Sequence, residues 1–137
     1  GDDRAAADSA LEAHRLLPGD VSLARQAFAM ALRAGMNDRV VAAYEASPAA
    51  VQADGRTAMT YAFALLRQGD TDRAEAVLMR DGGLSVTDIR EGEISLTNLY
   101  LDIARARADA AGRAFDPAET DVPRRFDFRM FVPKKRG

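Results

Sequence analysis

The sequence predicts an all-α fold, an α-solenoid of about six helices arranged as helix-turn-helix repeats and followed by an extended C-terminal tail. Three observations predict it. Leu32, Arg33, Gly35, Asp38, Arg39 and Ala42 return as Leu66, Arg67, Gly69, Asp72, Arg73 and Ala76, an offset of 34 residues. A fixed period of this length marks stacked helical pairs, because one hairpin alone cannot bury its apolar face. The chain is 47% apolar but only 7% aromatic, and alanine makes up much of the difference. Alanine loses no side-chain entropy in a helix, whereas a β domain draws on Val, Ile, Thr and aromatics. Finally, glycines and prolines fall between segments of three-four apolar spacing, where helices stop.

The elements follow in order. Residues 3–16 read as a first helix, with Ala7, Ala10, Leu11, His14 and Leu17 on one stripe. Pro18 and Gly19 end it, and Asp20 is suited to cap the next. A second helix over 21–34 carries Leu23, Ala24, Ala27, Phe28, Ala31 and Leu32, and Gly35 closes it in a left-handed turn. The third, over 37–47, presents Val40, Val41 and Tyr44 before Pro48. Residues 48–55 form a looser connection with room for one helical turn. The fourth helix, 56–68, presents Ala58, Tyr61, Ala62, Leu65 and Leu66 and stops at Gly69. The fifth, 71–80, carries Ala74, Val77 and Leu78 up to Gly82 and Gly83. After an irregular stretch over 84–94, a last helix over 94–112 shows Leu96, Leu99, Tyr100 and Ile103, with Asp102 and Arg105 spaced for an ion pair.

The chain divides at Gly112. Residues 1–112 form the helical domain and carry a net charge of −5, while residues 113–137 form a tail of +3 that contains three of the five prolines. Phe126, Phe128 and Met130 alternate with Arg125, Asp127 and Arg129, the period of an extended segment with one buried face. The tail also holds four of the six phenylalanines, too many for a solvated coil. These three apolar residues are therefore expected to anchor it on the helical body, either capping the last helix or lying in a groove.

Composition excludes several function classes. A net charge of −2 argues against nucleic acid or an anionic membrane as partner. The absence of cysteine removes disulfides and thiolate metal sites. No apolar run reaches the ~18 residues that span a bilayer, and no signal-peptide pattern opens the chain, which favours the cytoplasm. Gly1 reads as a processing scar, and the chain as a piece of a longer protein.

Residues 55–82 resemble a tetratricopeptide (TPR) repeat, with Tyr61, Ala62, Leu65, Gly69, Ala74 and Leu78 at matching places. Ala58 stands where the family has a large aromatic, and Asp81 where it has Ala. Residues 20–54 are a poorer match: Gly35, Val40 and Tyr44 fit, while Ala24 replaces the aromatic and Phe28 the small residue at the helix crossing. The resemblance implies a non-catalytic scaffold that binds a protein or peptide in a groove formed by the first helix of each pair. Carried over position by position, the groove holds Ser22, Arg25, Ala29, Leu32 and Arg33, then Arg56, Met59, Phe63, Leu66 and Arg67. Four arginines on one face suit carboxylates, so the implied partner is acidic, with a second copy of the chain as the alternative partner. A weaker resemblance, on Ile89–Leu96 and Phe126–Met130, is to the C-terminal repeats of large bacterial proteins with an upstream sugar-related β domain. It implies an accessory role in such an enzyme.

Other residues carry less. His14 has no second histidine or cysteine to share a metal and reads as a packed residue. Asp88, Glu91 and Glu93 lack calcium-loop spacing. Gly82-Gly83 is too short to cradle phosphate, and Ser85 and Ser95 lack the context of a nucleophile. Lys134-Lys135-Arg136 falls short of a nucleic-acid patch. No acid, base and nucleophile come together, and no cofactor is implied.

Overall fold

The computed structural model describes residues 2–86 and 95–127, which contain seven α-helices and no β-strand. They are α1 (Asp2–Leu16), α2 (Val21–Arg33), α3 (Asn37–Glu45), α4 (Ala49–Gln52), α5 (Gly55–Arg67), α6 (Thr71–Leu78) and α7 (Leu96–Ala110). The one-turn helix allowed for between Pro48 and Gly55 is α4. Phe128, Met130, Asp88, Glu91, Glu93 and Lys134 to Arg136 lie outside the described residues.

Local sequence sets most boundaries. Asp20, Asp54, Asp70 and Ser95 each accept a backbone N–H three residues on, capping α2, α5, α6 and α7. At the other ends, Gly35 and Gly69 adopt φ of 75° and 84°. The bonds around them are the same 34 residues apart: Gly35 N–H donates to Leu32 O and Met36 N–H to Ala31 O, as Gly69 N–H does to Leu66 O and Asp70 N–H to Leu65 O. This paired arrangement satisfies the carbonyls that a helix end leaves open. Gly112 ends α7 in the same way, with Gly112 N–H to Asp109 O and Arg113 N–H to Ala108 O.

The core follows the alanine-rich pattern. Ala24, Ala27, Ala31, Ala58, Ala62, Ala64 and Ala74 are fully buried among Phe28, Val40, Leu65 and Leu78. α5 is the central element, packed against α2, α3, α4, α6 and α7. At its start, Gly55 lies so close to the 84–86 stretch that a Cβ there would stand 1.9 Å from Ser85 O. Four rings run through the body from α1 to α5: His14 meets Phe28 edge-on at 5.1 Å, Phe28 meets Tyr44 at 6.4 Å, and Tyr44 stacks on Tyr61 at 4.1 Å.

One apolar expectation fails. Leu17, placed on the buried stripe of the first helix, is 59% exposed. The helix ends at Leu16, so Leu17 stands in the turn that follows and not on the helical stripe.

Candidate functional site

The arginines expected on one groove belong to different local arrangements. Arg25, in the second turn of α2, forks onto both carboxylate oxygens of Asp54, the cap of α5. Burial pushes the Asp54 carboxyl upward, but hydrogen bonds from Arg25, Thr57 N–H and Arg56 N–H outweigh it and hold it below its ordinary 3.8. At the opposite end, Arg67 donates to Leu32 O at 3.0 Å. These two contacts tie both ends of α2 and α5 and make the two helices parallel. Arg33 is exposed, while Arg56 and Ala29 are half-buried. Met59 and Phe63, expected to line the groove, are instead core residues only 5% and 4% exposed. The reason is the central position of α5, which packs against α2, α3, α4, α6 and α7. Arg25 and Arg56 thus stand toward the starts of α2 and α5 and Arg33 and Arg67 at their ends, while Met59 and Phe63 between them are closed to ligand.

Of the three residues expected to anchor the tail, Phe126 alone lies among the described residues. Residues 124–126 form a 3-10 turn rather than a strand, and Phe126 is 1% exposed. Its ring stacks on Tyr100 at 6.1 Å, and its carbonyl accepts from the Thr97 hydroxyl. Arg125 lies over the Phe126 ring and donates to Gly83 O at 3.2 Å. Further back, the Arg105 guanidinium sits 5.1 Å from the Phe115 ring. The chain thus returns along α7 from its last turns to its first, holding α7 to the loop after α6. At the other end of α7, Arg107 reaches Asp72 and Glu75 of α6.

Two groupings escaped the sequence reading. His14 Nε2 lies 3.2 Å from Ser47 Oγ, a serine and histidine 33 residues apart. The pair resembles a nucleophile and its base, but the proton points the wrong way. Ser47 Oγ donates to Ala43 O at 2.7 Å, so Nε2 must carry the hydrogen and Oγ accept it. Both residues are buried, and His14 Nδ1 has no partner. Burial pushes the imidazole below its ordinary 6.5. The second grouping joins α3, α5 and α6. Tyr61 donates to Glu45 at 2.7 Å, and Arg73 donates to both. Beside it, Tyr44 donates to Gln52 O while Arg80 donates to both oxygens. Burial, followed by the Glu45 carboxylate, pushes the Tyr61 hydroxyl up to about 12. The signal for these contacts was present only as paired tyrosines, Tyr44 and Tyr61, on helices expected to be neighbours.

Among the described residues no group of His, Asp and Glu is placed to hold a metal ion, and no helix is long and apolar enough to cross a membrane. No family model, curated protein or solved structure matches the chain.

Proposed function

We propose that the chain is a TPR-like α-solenoid and a non-catalytic scaffold, binding an acidic peptide or protein segment along the rim of α2 and α5. The observation that carries this reading is the 34-residue register of the two glycine turns. The same four backbone donors and acceptors recur at the same offset, as repetition of one helix-turn-helix unit requires. Parallel α2 and α5, with α3 and α6 each following their glycine turn, support two stacked units. Exposed Arg33 and half-buried Arg56 supply positive charge on the rim, and guanidinium forks match carboxylates. The orientation of the His14–Ser47 pair supports the non-catalytic part.

Binding is tested by fluorescence polarisation with labelled acidic and basic peptides at low and high salt. Acidic peptides are expected to bind, more weakly at high salt, and the Arg33→Glu/Arg56→Glu variant to bind about tenfold less tightly. Binding that ignores both charge reversal and salt overturns the acidic-partner reading.

A further inference from the structure

We propose that the end of α1 and the cleft between α1 and α3 form a self-association face, on which a second copy of this chain seats its Leu16 and Leu17 while receiving the first copy's in return. The projecting part comes first. Leu16 and Leu17 are 64% and 59% exposed, the two most exposed of the large apolar side chains among the described residues. They are adjacent and stand on the turn that leaves α1, immediately before Pro18.

The recess lies beside them. A cleft of about 500 Å³ opens between α1 and α3, bounded on one side by Leu11, His14 and Pro18 and on the other by Ala42, Ala43 and Ala46. Alanines on α3 make the room, and Arg39 of the same helix spans the rim to Asp8 on α1. The volume falls within the range of cavities that take up apolar groups. Arg15 and Pro18, which flank the leucine pair in sequence, both border the cleft, so knob and recess are immediate neighbours. A face that carries both halves of a contact is self-complementary, and it closes about a two-fold axis with each copy giving and receiving.

Charge selects the occupant. The rim bears Glu12, Arg15 and Arg39, and Asp8 stands beside Arg39. Arg15 bonds Glu12 at 2.6 Å and Arg39 bonds Asp8 at 3.0 Å, all four with exposed side chains. The two acids balance the two bases, so a charged ligand meets no unmatched counter-charge here. A second copy brings the same balanced set and can interleave acid with base across the axis. It also brings the matching leucine pair, the one apolar projection of this kind next to the cleft. The inference does not depend on the repeat reading.

The test is sedimentation velocity on the full chain from micromolar to millimolar concentration. The wild type is expected to pass from monomer to dimer. Leu16→Lys/Leu17→Lys should raise the dimer dissociation constant at least about tenfold, with unchanged helical circular dichroism because both side chains are exposed. Ala43→Glu, which fills the recess from the opposite side, should weaken the dimer likewise. Since the chain lacks cysteine, a Leu17→Cys variant mixed with a differently tagged Ala42→Cys variant should give a mixed cross-linked dimer with a short bismaleimide. A wild type that stays monomeric over the whole range overturns the proposal. So does a dimer indifferent to the leucine substitutions, which puts the contact elsewhere, or one that yields no mixed cross-link.

Discussion

His14 is held neutral because its ring lies between α1 and α2 with Nε2–H already given to Ser47 and Nδ1 facing no acceptor. Protonation would place a second N–H, and a charge, where nothing receives them. Its folded value lies below 6.5, so near that pH the unfolded chain binds more protons than the folded one. The contribution to stability is complete above the unfolded value of 6.5 and is lost as pH falls toward the folded value. Urea unfolding at about pH 7.5 and about pH 5.5 should show this loss in the wild type. His14→Phe should remove the difference that belongs to this residue. The glycines separate two physical effects in the same way. At Gly35 and Gly69 an added Cβ meets nothing within 4 Å, so Ala carries only the strain of a left-handed backbone, roughly 1–2 kcal/mol. At Gly55 the added Cβ meets a backbone carbonyl that cannot turn aside. Gly55→Ala should therefore destabilise more than Gly35→Ala in urea unfolding, and expose Leu84 and Val86 as the 84–86 stretch moves off. Equal losses would mean that this close approach is relieved without displacing the loop.

Among the elements, the returning segment over 113–127 is the least regular. Its contacts include Phe115 under Arg105, Val122 against the core, Arg125 on Gly83 and, above all, Phe126 against Tyr100 and Thr97. Burial of one such aromatic side chain contributes roughly 1.5–3 kcal/mol, a sizeable part of what orders a short segment. Phe126→Ala is expected to raise amide hydrogen exchange across 113–127 while leaving α2 to α5 protected. Exchange that rises equally in α5 would show that the segment supports the whole body. Fixing the helix ends took only local chemistry. Asp20, Asp54, Asp70 and Ser95 cap from their own side chains, and Gly35 and Gly69 stop α2 and α5 where a left-handed residue was expected. The tail was harder to read. Alternation pointed to an extended strand, but Arg124–Phe126 winds into a 3-10 turn. Thr97 and Gly83 set that local shape, and neither is near it in sequence.

For the molecule as a whole, α5 decides cooperativity, since it packs against five other helices and eight of its thirteen residues are buried. Ala62, fully buried within it, has no room for growth. Ala62→Leu should cost roughly 1–3 kcal/mol and shift one common unfolding transition, seen alike by circular dichroism and tyrosine fluorescence. Separate transitions would show that the helices flanking α5 unfold independently. The sequence by itself determined the helices, their capping residues and the left-handed stops at Gly35 and Gly69, because each depends on neighbours within a few residues. Tertiary structure decided the candidate site. Periodicity places Met59 and Phe63 on one face of a helix but does not say whether that face stays open, and the helices packed around α5 close it. It places Arg25 and Arg67 beside Arg33 and Arg56, but partners lying 29 and 35 residues away turn the first two into ties between α2 and α5. Burial and charge pairing depend on what arrives from distant parts of the chain, and local spacing carries no record of that.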